Sequence, residues 1–452
     1  MRDQSEAPLF RHTLIVGLGA TGWSVVQHLV AQGLSVAVAD SREQPPLLAQ
    51  MQDRYTDVTV FTGPFADPVF AQADRLVVSP GIPLSTPQIQ AALARGVPVI
   101  SDIELFAQAV HAPVVAITGS NGKSTVTTLV GEMARASGLS VAVGGNLGTP
   151  ALDLLKQSAQ LYVLELSSFQ LASTYSLRTQ VATVLNLSAD HLDWHGDMTN
   201  YATAKAVALR NTQIAVLNAD DSQVMAMPAS GQRQLFSLNR PTTTDDFGLC
   251  CVKGVDWLCH GPKHLIRADE LKIAGRHNQA NALASLAIST ALGLPMATLC
   301  DVLRTFPGLP HRTEFVAETA GVRWYNDSKA TNVGATIAAL DGLYQSEGGR
   351  AVVLLGGQGK SADFAPLTPI LARCARAVVL FGQDQAQITP HIPDCCAQVT
   401  VTDLAAGVIQ AARLAQTGDH VLLSPACASL DQFPGFAARG EHFRHLVQQQ
   451  RP

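Results

Sequence analysis

Short runs of apolar, largely β-branched residues recur along the chain, at Thr13 to Val16, Val36 to Ala39, Leu76 to Val78, Val114 to Ile117, Tyr162 to Leu164, Val181 to Leu185, Ile214 to Leu217, Val352 to Leu355, Val378 to Phe381 and Val421 to Leu423. Most are apolar at successive rather than alternate positions, the pattern of strands covered on both faces. Between them lie stretches of helical periodicity, such as Trp23 to Ala31, Ser124 to Ala136, Asn281 to Leu292 and Leu404 to Leu414. This alternation predicts an α/β fold with mainly parallel sheets. Residues 240–275 break it with Pro241, a run of threonines, cysteines and Pro262, and read as an irregular or antiparallel excursion.

The pattern is interrupted near Val99 to Glu104 and again by Pro307, Gly308 and Pro310, so three domains are expected at 1–103, 104–308 and 309–452. Glycine or polar residues follow the apolar runs at Gly19, Gly81, Gly119, Glu165, His191, Asp327, Gly356 and Ser424. Open parallel sheets bind ligands at the carboxyl ends of their strands, so chemistry is expected to collect there.

Composition narrows the classes. With 47% hydrophobic and 15% charged residues in 452, the chain can bury several cores. Its net charge of -5 and lack of a basic block argue against a nucleic-acid partner. No apolar run approaches the roughly 18 residues of a membrane helix, and no membrane partner is expected. Asp3 and Glu6 precede the first apolar run, unlike a secretory signal, so the chain is expected to be mature from its start. Eight scattered cysteines fit reduced thiols and a cytoplasmic setting.

Two glycine loops carry the first chemical signal. Gly17, Gly19 and Gly22 form a GxGxxG between strand and helix, and Asp40 ends the next strand. A nicotinamide dehydrogenase, a glycine turn needed only for packing and a non-redox nucleotide site all fit this motif. The second loop, Gly119, Ser120, Asn121, Gly122, Lys123, Ser124 and Thr125, contains Gly-Lys-Ser but has Ile117 where the common phosphate loop has its first glycine. Its amides can wrap a phosphate, Lys123 can reach terminal phosphoryl oxygens and Ser124 can bind Mg²⁺. Glu165 at the end of an apolar run, and Asp190 and His191 after another, suit a cation that carries the phosphates.

Other clusters are weaker. His191 and His195 have the spacing of a helical zinc pair, but Gly196 and the lack of a third ligand weigh against it. Cys250, Cys251, Cys259, His260 and His264 lack a paired CxxC knuckle, so idle or buried thiols are expected there. Gly356, Gly357, Gln358, Gly359, Lys360 and Ser361 read as a turn setting Lys360 against an anion.

Together, the Gly119–Thr125 loop, Glu165 to Gln170, Asp190 with His191, Gly275 to Asn278 with Asn281, His311 with Arg312, Asn326 to Asn332, the Gly356 loop with Lys360, and Ser424 to Phe433 resemble the Mur ligases. The likeness covers essentially the whole chain and is strongest to the branch that joins glutamate to UDP-N-acetylmuramoyl-L-alanine. It implies a Rossmann-like N-terminal domain binding the UDP-substrate, a central P-loop ATPase-like domain, and a Rossmann-like C-terminal domain that binds glutamate and closes over ATP.

The resemblance implies that Ala20, Thr21, Asp40, Ser41, Gly81, Asn146 and His191 hold the UDP-sugar. Asn278, Asn281, Arg312, Asp327 and Lys329 would join the Gly119–Thr125 loop on ATP, and Thr331, Lys360, Ser429 and Phe436 would hold D-glutamate. Ser124, Glu165, His191 and Lys205 as a carbamate would carry Mg²⁺, with two ions expected. Lys123, Glu165, His191 and Lys205 would form the catalytic set. Gln358 departs from the acidic residue expected in relatives, and Ser41 stands where many have Thr. The implied reaction is ADP-forming amide ligation through an acyl phosphate in peptidoglycan precursor synthesis, by a monomer. A nicotinamide dehydrogenase and a noncatalytic nucleotide sensor are the competing classes.

Overall fold

The computed structural model describes residues 12–273, 275–360 and 362–449; Asp3, Glu6 and Ser361 lie outside them. Three sheets follow one another along the chain. The first has five parallel strands in the order Thr59–Thr62, Val36–Asp40, Thr13–Val16, Arg75–Val78 and Val99–Ile100. Strand order reverses at Thr13–Val16, which opens a crevice at its carboxyl end between the turns at Gly19 and Gly81.

The second sheet has nine strands, and Val114–Thr118 is flanked by Leu161–Glu165 on one side and Thr179–Val184 on the other. The loop after this strand is therefore bracketed by Glu165 and by the segment leading to Asp190. At the far end the sheet turns antiparallel through Phe247–Val252, Val255–His260 and Lys263–Arg267, the excursion expected within residues 240–275. In the third sheet, Val322–Asn326, His420–Leu423 and Ala351–Gly356 lie side by side and parallel, bringing Asp327, Ser424 and the Gly356 turn to one edge. Among the described residues, only the strand Glu314–Thr319 runs antiparallel in this sheet.

The first two sheets share a core that runs from Ile15 and Val25 through Ile103 and Phe106 to Leu164 and Ala182. Phe106 meets Tyr162 edge to face at 5.4 Å. The helix Asp102–Ala109 joins them, capped by Ser101, whose hydroxyl accepts from the Glu104 amide at 3.2 Å. Among the described residues no helix is long and apolar enough to cross a membrane.

Thr59–Thr62 and Ala397–Thr400 were not evident as strands, because each is a sheet edge with mostly exposed side chains and so has no continuous apolar run. Val141–Gly145 ends in two glycines and also lacks that signature.

In the first crevice the helix Ala20–Ala31 packs directly on the turn before it. A Cβ at Gly22 would lie 1.9 Å from the Gly17 carbonyl oxygen. Gly22→Ala is therefore expected to lower stability by about 1–3 kcal/mol through overpacking, measured as an earlier urea midpoint, and to weaken any ligand held at this turn.

Candidate active site

The Gly119–Thr125 loop leaves its strand at a left-handed glycine and enters the helix Lys123–Ala136 at another, Gly122, with φ 84°. A Cβ at Gly122 would stand 2.4 Å from Asn281 Oδ1, so the loop backbone packs against the Asn281 side chain of the helix Arg276–Ala291 at a positive-φ position that favours glycine. Asn186 secures the other side, accepting from the Asn121 amide at 2.8 Å and donating to the Asn121 carbonyl at 3.1 Å. Lys123 Nζ lies back along the loop and donates to the carbonyls of Gly119 and Ser120, both at 2.8 Å.

Beside this loop Glu165 is 2% exposed. Its Oε1 accepts from Asn146 Nδ2 at 2.6 Å, while Oε2 is buried without a hydrogen-bond partner. Such an orphaned carboxylate oxygen costs about 1–3 kcal/mol or more. A divalent cation would satisfy it, and the oxygens of Glu165 and Ser124 are of the type Mg²⁺ takes. Lys205 is almost wholly buried, with Nζ donating to the Gly119 carbonyl at 2.8 Å and lying 4.6 Å from the Tyr201 ring centre. Burial, then the charge of Lys123, drives its ammonium well below the usual lysine range. Burial likewise lowers Lys123.

His191 sits in the left-handed region with φ 56°, its ring 4.8 Å from Phe169 and Nε2 3.5 Å from Asp190 Oδ2. Burial lowers its pKa, opposed by Asp190. His195 points elsewhere: it is buried, hydrogen bonded to Ser168 Oγ at 2.9 Å and stacked on Phe169. The two histidines thus share Phe169, while their ring nitrogens meet different groups, Asp190 for His191 and Ser168 for His195.

The third sheet reaches the loop through Arg312. Its guanidinium donates to Ser124 Oγ at 2.9 Å. His311 and Thr313 on either side hold φ of 62° and 45°, conformations that a β-branched residue rarely adopts. Asn332 adds a second crossing, donating to Asn121 Oδ1 at 3.2 Å and Asp190 Oδ2 at 3.1 Å. Asp327 is held between Ser424 Oγ at 2.7 Å and the Thr313 amide at 3.1 Å, and burial pushes its pKa up to about 7. Burial and Arg312 push Lys329 down to about 8, and its ammonium stands 3.7 Å over the Phe436 ring.

Two cavities meet this centre. One of 250 Å³ is lined by Asn121, Gly122, Thr125, Asn278, Asn281, Arg312 and Asp327 among others. The other, of 570 Å³, is lined by Ala20, Thr21, Asp40, Ser41, Gly81 and Asn146. Asn146 thus belongs to the second cavity and bonds Glu165. Gly119, Ser120, Lys123, Ser124 and Lys329 lie beside the first cavity rather than in its lining, and His191 is not in the lining of the second.

Asp40 and the half-exposed Arg42 both line the second cavity. Both Asp40 oxygens are taken, by Leu18 N at 2.7 Å and by the Arg42 side chain at 2.8 and 2.6 Å, and it is 2% exposed, so Asp40 orients Arg42 there. The pair lies two residues apart after a strand, a signal present in the sequence but read only at Asp40.

The loops bearing Thr331, Ser429 and Phe436 are tied together by Arg439. This side chain is wholly buried and donates to Ser328 Oγ at 2.9 Å, the Ser328 carbonyl at 2.8 Å and the Cys427 carbonyl at 3.1 Å. Ser328 Oγ in turn donates to the Phe436 carbonyl at 2.8 Å. Lys360 ends the neighbouring glycine turn at φ 51° and acts electrostatically on His191. Gln358 pairs its backbone with Ala428 in both directions at 2.9 Å. Asn186, Thr313 and Arg439 were not singled out from the sequence; of these, only Asn186 follows an apolar strand at a position that hinted at a site.

Comparison with known proteins agrees with this layout. Family models match along the chain: Mur ligase MurD-like, N-terminal domain at 11–101, Mur ligase middle domain at 117–289, and Mur ligase, glutamate ligase domain at 311–427. A protein of Nitrosococcus oceani named UDP-N-acetylmuramoylalanine--D-glutamate ligase is 50% identical over 97% of this chain and 96% of its own length. A protein of the same name from Marinobacter nauticus is 49% identical over 97% and 98%. Among solved structures, the UDP-N-acetylmuramate-alanine ligase MurC of Thermotoga maritima shares the fold, with TM-score 0.61 and 18% identity over 97% of this chain and all of its own. MurF ligase of the same organism, solved with ADP, gives TM-score 0.62 at 16% identity over 97% and 95%.

The Asp327 environment has a pH signature. A folded pKa of about 7 exceeds the ordinary value near 4, so the folded state holds this proton more tightly than the unfolded chain. The resulting stabilisation is complete at low pH and lost as pH rises through about 7. Asp327→Asn removes the titration. Urea unfolding without ligands is expected to show the variant gaining on the wild type by on the order of 2 kcal/mol between about pH 4 and about pH 8.

Proposed function

This chain belongs to the Mur ligase family, and we propose that within it the chain joins D-glutamate to UDP-N-acetylmuramoyl-L-alanine at the expense of ATP. The observation that carries this reading is that the phosphate loop lines one cavity through Asn121, Gly122 and Thr125, while Asn146, which lines the GxGxxG cavity, bonds Glu165 beside that loop. A condensation driven by ATP needs such a junction, because the acid to be activated and the terminal phosphoryl group must meet in one orientation.

In this proposal the first cavity takes ATP, with its phosphates on the Gly119–Thr125 loop and Asn278, Asn281, Arg312, Asp327 and Lys329 about the rest. The second takes the UDP-sugar on Ala20, Thr21, Arg42, Ser41 and Gly81, with Asp40 fixing Arg42 and with Asn146 and His191 directing the alanyl carboxylate inward. That carboxylate attacks the terminal phosphorus, ADP leaves, and an acyl phosphate forms. Lys123, brought within reach by its loop, offsets charge on the transferred group. The amine of glutamate, held by Thr331, Lys360, Ser429 and Phe436, then attacks the acyl carbon. Inorganic phosphate leaves, and the nitrogen gives up its proton.

Mg²⁺ held by Ser124, Glu165, His191 and Lys205 would supply further neutralisation of phosphate charge, with two ions proposed. The buried Lys205 amine, depressed by its surroundings, suits reaction with CO₂, since the carbamate exchanges a cation for an anionic pair of oxygens. An acyl phosphate has to be kept from water, which favours closure of the domain at 309–452 over those at 1–103 and 104–308. We place the reaction in the cytoplasm, in peptidoglycan precursor synthesis, and assign it to a monomer.

Purified chain given Mg²⁺, ATP, UDP-N-acetylmuramoyl-L-alanine and D-glutamate is expected to release ADP and inorganic phosphate in step with amide formation. Lys123→Ala should cut this rate by about a thousandfold while leaving the urea midpoint near that of the wild type. Nicotinamide reduction, or nucleotide binding without turnover, would overturn the assignment in favour of a dehydrogenase or a sensor. For Lys205, carbon-13 spectra in labelled bicarbonate are expected to contain a carbamate resonance that Lys205→Ala lacks.

A further inference from the structure

We propose that Cys250, Cys259 and His264 form a binding site for a thiophilic metal ion of the Zn²⁺ class at the antiparallel end of the central sheet. Three strands separate Phe247–Val252 from the strand that carries the Gly119 loop. At about 4.8 Å per strand spacing, the site lies roughly 19 Å from that strand across the sheet.

The strand register assembles the three ligands. Gly248 pairs with Cys259, and Cys250 with Trp257, so the two cysteines share one face as diagonal neighbours. Lys263–Arg267 then pairs Ile266 with Leu258 but His264 with Cys259. One residue, Leu265, is extra on the outer strand. Without this bulge Leu265 would oppose Cys259, and His264 would remain on the face of Ile266. The irregularity is what carries the imidazole to the side of the thiols. The donor atoms of the three residues all lie within 4.8 Å of one another.

The thiols are buried but lie outside the apolar cluster beneath the sheet. Leu249, Leu258 and Ile266 face the core beneath the sheet, and neither cysteine belongs to that cluster. On the opposite face a Cβ at Gly248 would meet Asn239 O at 2.2 Å and Pro241 Cδ at 2.8 Å, so the chain near 239–241 covers the position opposite Cys259. Both cysteines are buried there, while His264 is exposed at the rim. Cys259 Sγ donates to the Trp257 carbonyl at 3.5 Å and also meets Cys250.

Two thiolates and an imidazole suit Zn²⁺, whose bonds of about 2.3 Å to sulfur and 2.0–2.1 Å to nitrogen put tetrahedral donors roughly 3.5–3.8 Å apart. Side-chain rotations of about 1 Å close the site from the present spacing. A disulfide fits less well, because diagonal partners in a sheet are commonly ~7–8 Å apart at Cα, beyond the usual disulfide span of under about 7 Å. On binding, each thiol S–H bond is replaced by a sulfur–metal bond, and two protons pass to solvent. The two thiolate charges balance the ion, and water at the exposed rim completes four-coordination. Metal and proton compete for the thiols, so uptake strengthens with pH.

The test is a Co²⁺ titration of the full chain after chelator treatment. The expected result is one equivalent of thiolate-to-cobalt charge-transfer absorption, bleached by one equivalent of Zn²⁺. Oxygen ligands such as those near Glu165 do not produce that band. His264→Ala, at an exposed position, and Cys250→Ser should each weaken Co²⁺ binding by about tenfold or more, with circular dichroism unchanged, and Cys251→Ser should leave it intact. Absence of the band in the wild type, its persistence in both ligand variants, or its loss in Cys251→Ser would overturn the proposal.

Discussion

A carboxylate buried with one oxygen unsatisfied sets the terms for the rest of this molecule. Glu165 ends a strand beside the phosphate loop, gains one hydrogen bond from Asn146, and leaves Oε2 bare in the interior. Around it stand Lys123, Lys205, Arg312 and Lys329, each held below its ordinary pKa by burial. Such a collection of desolvated charge is poorly stabilised by its own members. In the proposed function polyphosphate, a cation and a carboxylate complete it, an arrangement that would trade stability of the free protein for affinity toward the reacting groups.

The three sheets are the means of bringing those groups together. Each places its important loops beside one another at carboxyl ends: Gly19 with Gly81, Gly119 between Glu165 and Asp190, and Asp327 with Ser424 and the Gly356 turn. Neighbouring strands are only about 4.8 Å apart, so Ser424 and Asp327, 97 positions apart in sequence, are held at bonding distance. Loop chemistry varies, while the spacing comes from the backbone ladder.

Much of this was legible in the sequence because buried parallel strands are apolar at every position and the loops after them are marked by glycine and charge. Thr13–Val16 and Leu404–Leu414 match the expected spans, and the candidate residues Ala20, Thr21, Asp40, Ser41, Gly81 and Asn146 line one cavity. Edge strands were illegible, since exposure removes the apolar run. So was the division of labour between Asp40 and Arg42, because sequence names a charge without saying what already neutralises it. Register was beyond reach as well: one extra residue at Leu265 decides whether His264 meets Cys259, and nothing in spacing along the chain announces a bulge.

The backbone beside Arg312 has one more consequence. His311 and Thr313 occupy conformations that cost on the order of 1–3 kcal/mol each, held in place while the guanidinium grips Ser124. Those torsions are fixed from within the third sheet's own surroundings, where Glu314 accepts from the His311 amide at 2.9 Å and Asp327 from the Thr313 amide at 3.1 Å. The tight bend therefore aims Arg312 outward like a fixed bracket, and its direction does not depend on what the guanidinium holds.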